Sequence, residues 1–309
     1  MVRLNCRDRF LAPTKSGQQA RMGYLTRTCQ SNKLLGFSHS CTWVTFETIA
    51  LDISQIANNM DEKLRWRITT FFKYWRQRYE FIRDLDLKKN NDEANVLLWA
   101  SLDALSNLWT KDIRRKQCGR KKSKRLIFDA FLAHYGGEVF QIVSLPDIWN
   151  RVDQGDIWTD QQKKEKLSEE VCNFLSKIGD RRTPTLTDER QFRHSSDDWS
   201  LDAIITATVR DCPATNRTEL EEWLILSRYG AIAYKEMRSA YIHEGRSGKG
   251  THSFELYESA IRPTYLSGIY TTPPTIGFKV EFMLSILECC IDAFEADALT
   301  LQQDPVPEE

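Results

Sequence analysis

Apolar residues recur at three- and four-residue steps over most of the chain, and this spacing is typical of helices rather than strands. The clearest run lies between Ala94 and Trp109 and follows the capping residues Asn91-Asp92. Alternation with a period of two residues is nearly absent from Trp43 onward. The chain is therefore predicted to be all-α, with its main helices near residues 91–110, 122–135, 160–178, 218–243 and 276–299.

The 309 residues divide into three predicted regions. Residues 1–42 have weak periodicity and form an N-terminal arm, residues 43–300 form the helical domain, and residues 301–309 form an acidic tail. Within the helical domain the polar stretch at about 180–217 interrupts the apolar pattern, so we expect an insertion or a lid there. With 41% hydrophobic residues and nine tryptophans the chain can bury a real core, which excludes disorder as its main state.

Two features favour a cytoplasmic protein with no membrane segment. No run approaches the roughly 18 consecutive apolar residues that a membrane span needs, and the N-terminal sequence MVRLNCRDRFLAPTK contains no apolar signal core. The eight cysteines show no paired spacing. We therefore expect them to be reduced thiols.

Charge is distributed unevenly although the 43 basic and 43 acidic residues cancel. Residues 111–125 contain nine basic residues and one acidic residue, and residues 62–83 contain seven basic and two acidic residues. Residues 280–309 contain eight acidic residues and neither Lys nor Arg. The basic stretches suit a phosphate backbone, and the alternative interpretation is that they are solvated helix faces.

One arginine lies where the helical pattern points toward the protein. The apolar stripe of the helix after Thr218 runs through Leu220, Leu224 and Tyr234 to Arg238. A guanidinium on such a face is costly unless it is paired or binds an anion. His243 follows five residues later, before Gly245. An arginine that holds a phosphate, beside an imidazole that moves protons near neutral pH, is suited to RNA cleavage.

The same residues resemble a known family motif. The run Arg238-Ser-Ala-Tyr-Ile-His243 resembles the Arg-polar-x-x-x-His signature of the HEPN superfamily, and Glu244-Gly245 resembles its usual ending. Upstream, Trp99 to Ser106 resembles the acidic-centred helix that packs against the motif helix in many members. The resemblance implies an up-and-down helical bundle that forms a homodimer. Here the bundle would carry extra N-terminal helices and the polar insertion.

The resemblance also implies an activity. Many HEPN proteins are metal-independent endoribonucleases of prokaryotic antiviral defence or toxin–antitoxin systems, and they need no cofactor. Arg238 would bind the phosphate, His243 would be the general acid and base, Ser239 would orient them, and Asp103 would hold Arg238. The RNA 2′-OH would attack the adjacent phosphate, and an antitoxin or effector is a possible further partner.

A second set of residues is expected to contact the RNA. It comprises two cations of the loop after the motif and five cations of the basic stretch, all of which suit phosphate contacts. These residues are Arg246, Lys249, Arg120, Lys121, Lys122, Lys124 and Arg125.

Two functions from other classes stay open. In a non-catalytic HEPN scaffold that binds a protein partner or nucleic acid, Arg238 would pair with a carboxylate such as Asp103 or Glu236, and His243 would cap its helix. In a helical DNA-binding protein, residues 62–83 would present an exposed basic face.

Three weaker patterns are also present. The loop from Gly245 to Thr251 resembles a phosphate loop but lacks the Gly-Lys-Ser/Thr ending and the preceding strand. Cys29, His39 and Cys41 lack paired ligand spacing, so no metal site is predicted. The aromatic and basic run at 65–76 can either stack bases or form one buried aromatic face and one exposed basic face, and the second interpretation is favoured.

Overall fold

The computed structural model describes residues 60–112, 123–158, 166–181, 193–252, 259–268 and 271–306, and most of them are helical. The predictions for residues 1–42, which include Cys29, His39 and Cys41, lie outside these ranges. The α-helices before the motif region are α1 (Glu62–Arg83), α2 (Asn91–Asp112), α3 (Lys124–Tyr135), α4 (Leu145–Asp153), α5 (Glu169–Leu175), α6 (Leu201–Asp211) and α7 (Arg217–Ile225).

The motif region and the C-terminal helix complete the order of elements. The motif helix consists of α8 (Tyr229–Ile232), a π-helical turn (Ala233–Arg238) and α9 (Ser239–Glu244), and the last helix is α10 (Val280–Leu301). The strands of the described residues form two antiparallel pairs. These are β1 (Ile142–Val143) with β2 (Trp199–Ser200), and β3 (Thr264–Gly268) with β4 (Thr271–Gly277).

The predicted helical class is confirmed, and helix limits agree best where capping residues are clear. The predicted helices 91–110 and 122–135 correspond to α2 and α3, within two residues at each end. The hydroxyl of Ser123 accepts a hydrogen bond from the Leu126 amide at 3.4 Å, which caps α3. The helix predicted over 276–299 starts later, at Val280, because β4 occupies the residues before it.

The main core joins α1, α2, α3, the motif helix and α10. It is rich in aromatic rings: Phe72 and Phe131 both meet the ring of Phe294 edge-on, with centroids 5.2 and 6.0 Å apart. Such contacts add to the free energy gained by burying the rings. Helix α10 supplies one face of this core, so the last helix packs against the first one described, α1.

A second, smaller core is formed by buried side chains from residues 143–224. Its buried side chains come from α4, α5, α6 and α7, and they include Trp149 and Trp223. Helix α6, with buried Ile204 and Ile205, belongs to this core. The part of the expected insertion that forms α6 is therefore packed against this core, and the insertion at about 180–217 stays a prediction. Residues 182–192 lie outside the described ranges.

A buried ion pair connects α3 to the start of the motif helix. Asp129 and Arg228 are both buried, and Arg228 Nε donates to Asp129 Oδ2 at 2.9 Å and to Oδ1 at 3.2 Å. Gly230 lies directly against this carboxylate, because a Cβ added there would be 2.7 Å from Asp129 Oδ1. The pair replaces the water that each charged group loses on burial.

We expect Asp129→Ala to lower the free energy of unfolding by about 3–5 kcal/mol, because it leaves the Arg228 guanidinium buried without its counter-ion. Urea denaturation measures the effect. The matched control is Asp211→Ala, which removes the partner of Arg210 from an exposed pair and should change stability little. Equal losses in the two variants would contradict this role for the buried pair.

A second buried carboxylate gathers several elements. Asp198 Oδ2 accepts from the Tyr229 hydroxyl at 2.7 Å and lies 2.5 Å from the Tyr265 hydroxyl, and Arg193 pairs with Asp198 Oδ1. The Tyr265 hydroxyl is also 2.7 Å from Ser144 Oγ, next to α4. This cluster joins the second core, the motif helix and the β3–β4 pair.

The buried phenols predict a loss of stability in alkali. Burial raises the pKa of Tyr229 and of Tyr265 well above the ordinary value. The folded state thus holds both protons more tightly than the unfolded chain does, so this contribution is complete below about pH 10 and falls as the pH rises further. Urea denaturation from pH 8 to 11 should show the decline, and Tyr265→Phe should flatten it. An unchanged slope in that variant would contradict the assignment.

None of the helices in the described ranges combines the length and the apolar content that a bilayer span requires.

Candidate functional site

The segment predicted as one helix, 218–243, is broken before the motif. Helix α7 ends at Ile225 and the motif helix begins at Tyr229. Side chains and backbone from other elements hold the break: Arg125 Nη2 donates to the Leu226 carbonyl at 2.6 Å, and the Ser144 amide donates to the Ser227 carbonyl at 2.9 Å. The break therefore depends on tertiary contacts.

The motif helix contains a π-helical turn that ends at Arg238. The Ser239 amide donates to the Tyr234 carbonyl, five residues back, and the Ser239 hydroxyl donates to the same oxygen at 3.0 Å. Turns of this kind are rare overall, but many of those known lie at functional sites. The extra residue rotates the side chains that follow it. The turn thus sets the direction of Arg238.

Arg238 lies inside, as the apolar stripe predicted, and contacts Asp103 of α2. Its Nη2 donates to Asp103 Oδ2 at 2.6 Å, and the two side chains are 14% and 15% exposed. The guanidinium carbon is 5.0 Å from the centre of the Tyr234 ring. The expected contact between Asp103 and Arg238 is therefore present.

The hydrogen bonds of Arg238 are incomplete. Asp103 is its one carboxylate partner among the described residues, and the buried Nε has no acceptor there. A guanidinium carries five N–H donors in a planar fork, and buried donors are normally paired. The unpaired Nε gives Arg238 capacity for one further acceptor, such as a phosphate oxygen.

Ser239 does not take the position that we expected. Its hydroxyl bonds to the Tyr234 carbonyl of its own helix, and it makes no hydrogen bond with Arg238 or His243 in the structure. The hydroxyl therefore stabilises the π-helical turn. The prediction that Ser239 orients the two motif side chains has no support in these contacts.

His243 is exposed and lies in the last turn of α9. The helix continues to Glu244 and ends at Gly245, whose φ of 68° is the left-handed value that glycine accommodates. Five residues at 100° each place His243 about 140° around the helix from Arg238. Because His243 remains within the helix, this geometry directs the two side chains to different sides of it.

The loop after the motif is fixed on the π-helical turn. The Gly248 amide donates to the Glu236 carbonyl at 2.7 Å, and the Gly250 amide donates to Glu236 Oε2 at 2.9 Å. A Cβ at either glycine would come within 2.7 Å of Glu236 atoms. The sequence indicated Glu236 only as an alternative partner of Arg238. The two glycines two residues apart are the signal that indicates a close backbone approach.

The predicted RNA-binding residues divide into three groups. Arg120, Lys121 and Lys122 lie outside the described residues, while Lys124, Arg246 and Lys249 are exposed. Arg246 Nε lies 3.3 Å from Glu244 Oε2, on the same side of the loop. Exposure leaves Lys124 and Lys249 accessible to a phosphate backbone.

Arg125 forms the third group, and its contacts are structural. Its Nε donates to the Ala231 carbonyl at 2.9 Å, in addition to the bond with Leu226, and burial lowers the pKa of its guanidinium. Its donors fix the start of the motif helix. These contacts give Arg125 a structural role, and its predicted contact with RNA stays a prediction.

The basic face of α1 is partly neutralised by the acidic C-terminal region. Arg76 Nη2 lies 2.9 Å from Asp292 Oδ1 and 2.5 Å from Glu295 Oε2, and Arg67 Nε lies 2.6 Å from Asp304 Oδ2. These pairs show that α1 and α10 run antiparallel. The DNA-binding interpretation requires an exposed basic face on α1, and two of its arginines are engaged within the protein.

Among the residues that the structure describes, no three His, Cys, Asp or Glu side chains are arranged to hold a metal ion. A comparison with protein-family models finds no match for this chain. Comparisons with curated proteins and with solved structures also find none. The site must therefore be interpreted from its own geometry.

We expect a double-mutant cycle of Arg238→Ala and Asp103→Ala to give a coupling free energy of about 0.5–3 kcal/mol, because each variant removes the other residue's partner. Urea denaturation of the single and double variants measures it. The exposed pair Arg246 and Glu244 is the matched control and should behave additively. Additive behaviour of Arg238 and Asp103 would contradict the contact.

Proposed function

We propose that this protein is a metal-independent endoribonuclease of the HEPN type, with Arg238 and His243 as its reacting pair. One observation supports the proposal most: the π-helical turn ends at an arginine that is held by one carboxylate and whose Nε has no acceptor. An exposed imidazole follows in the last turn of the same helix. An anchored cation with spare donors suits phosphate binding better than a closed structural pair does.

The chemistry assigns a separate task to each side chain. The free N–H groups of Arg238 would bind the scissile phosphate and stabilise the charge that develops on it. His243 would take the proton of the 2′-OH as its oxygen bonds to phosphorus. The P–O5′ bond then breaks and its oxygen accepts a proton, which leaves a 2′,3′-cyclic phosphate and a free 5′-OH.

The angle between the two residues favours a site shared by two protomers. Since Arg238 and His243 diverge by about 140° on one helix, a single copy does not direct both at one phosphate. A homodimer with adjacent motif helices would supply the missing residue from its partner. The proposal therefore includes a homodimer. From the family resemblance it also includes the cytoplasm of a prokaryotic cell and a defence or toxin–antitoxin setting. An antitoxin or effector would gate its activity.

A second candidate function is a non-catalytic HEPN scaffold. It is favoured by the bond between Arg238 and Asp103, which gives the guanidinium a structural partner in the absence of RNA. In a scaffold this pair only joins α2 to the motif helix, and His243 has no chemical task. The scaffold would bind a protein partner or nucleic acid.

Cleavage of mixed cellular RNA in EDTA tests the proposal. We expect the purified protein to cut, and we expect His243→Ala to reduce the rate by about 10²–10⁴-fold because the proton transfers are lost. Arg238→Ala should reduce it by about 10²–10³-fold. His194→Ala, which removes an exposed imidazole elsewhere, is the matched control and should cut like the natural chain.

The outcomes separate the two candidates. If neither the natural chain nor the variants cut, the scaffold is favoured. If the natural chain and His243→Ala cut equally, the site assignment is wrong. Mapping the cleaved ends for a cyclic phosphate checks the attack by the 2′-OH.

A further inference from the structure

The aromatic side chains of α1 divide between the core and the solvent. Phe72 and Trp75 are buried, whereas Trp66, Tyr74 and Phe81 are 66%, 54% and 59% exposed. At 100° per residue these three positions fall within a sector of about 80°, so they form one stripe along the helix. The favoured interpretation, with one buried aromatic face, is therefore incomplete.

Lys63 lies within the sector of the rings, and Lys73 lies about 20° outside its edge. Lys63 and Lys73 are exposed, and within the described ranges neither pairs with a carboxylate. We call Lys63, Trp66, Lys73, Tyr74 and Phe81 the exposed stripe. The carboxylates that α10 and the residues after it direct at α1 bind Arg67 and Arg76, so they leave the charge of the two lysines unneutralised.

One further cation orients a ring of the stripe. Arg78 Nη1 donates to the Tyr74 hydroxyl at 3.1 Å, and its guanidinium carbon is 5.8 Å from the centre of the Trp75 ring. The arginine thus holds Tyr74 from its polar end. The Tyr74 residue is 54% exposed, and a positive charge lies beside its ring.

This combination favours one kind of ligand. Flat apolar faces beside unpaired cations suit a strand of unpaired bases, because bases stack on the rings while phosphates contact the lysines. At a rise of 1.5 Å per residue, the three rings are spaced about 12 and 10 Å apart, which separates successive stacking sites. A protein partner fits less well, since lysine is depleted from the centres of protein interfaces.

We propose that the exposed stripe binds single-stranded RNA through stacking and phosphate contacts, with little preference for sequence. The proposal names the form of the substrate, and it rests on the proposed ribonuclease function for the choice of RNA as the ligand. Its physical content is binding, which occurs with or without cleavage. It is therefore tested separately from the chemistry of His243.

Binding of a fluorescein-labelled 20-nucleotide oligouridine, followed by anisotropy, tests the proposal. The full chain with His243→Ala is used so that the RNA stays intact. Each of Trp66→Ala, Tyr74→Ala and Phe81→Ala should weaken binding about fivefold or more, and the triple variant at least about 50-fold. Ile261→Ala, which removes an exposed apolar side chain elsewhere, is the matched control and should bind normally.

Two further measurements identify the type of contact. Lys63→Gln with Lys73→Gln should reduce the dependence of affinity on salt, because fewer counterions are released. The deoxyribose oligomer should bind with similar dependence on the rings, because stacking does not involve the 2′-OH. Thermal unfolding of every variant should stay cooperative, which establishes that a loss of binding is not a loss of folding.

Each outcome decides a separate proposal. If binding depends on the rings and the chain never cuts RNA, the stripe proposal is supported and the ribonuclease proposal is wrong. If the chain cuts RNA and its binding does not depend on the rings, the stripe proposal is wrong and the ribonuclease proposal stands. Failure of the RNA to bind overturns the stripe. If the triple variant loses self-association in sedimentation while it binds RNA normally, the face contacts a second copy and the proposal is wrong.

Discussion

The ion pair between Asp129 and Arg228 fixes where the motif helix begins. Both charges are removed from water, so each is tolerable only because the other is there. Arg125, one helical turn before Asp129, bonds to the carbonyls on either side of the break. Helix α3 thus presents a cation and an anion to residues 226–231. This attachment anchors the first turn of the motif helix.

The π-helical turn converts that fixed start into a fixed direction for Arg238. One additional residue per turn rotates the helix beyond it, and the serine hydroxyl and amide both stabilise the altered turn. Helix α2 supplies Asp103, and the loop after Gly245 is fastened to Glu236. Asp103 thereby holds the guanidinium directly, and the loop holds the π-helical turn that carries it. That degree of support is expected where geometry matters for binding, and it is consistent with the proposed function.

Periodicity and capping residues predicted α2 and α3 closely, because their signals are local. The break at 226–228 contains neither glycine nor proline, so its cause lies in the distant partners Arg125, Asp129 and Ser144. Strand β4 escaped prediction because Pro273-Pro274 is unusual in a strand and hides the alternation.

The candidate site was predictable only in part. The inward position of Arg238 follows from the apolar stripe, and its contact with Asp103 follows from the family resemblance. The π-helical turn leaves no trace in residue spacing, since it shifts the register by one residue without a breaker. The structural role of Arg125 was hidden because a basic run predicts exposure for all of its members. Buried arginines of this kind are recognised only through the carbonyls that they meet.

The antiparallel packing of α1 on α10 has a consequence for folding during synthesis. The two helices are about two hundred residues apart in sequence, and contacts between distant segments form late. A chain leaving the ribosome cannot close its main core until α10 has emerged. The second core, whose buried residues span 143–224, is complete before that point. The smaller core is thus able to form first. The aromatic faces of α1, α2 and α3 stay uncovered until α10 packs on them.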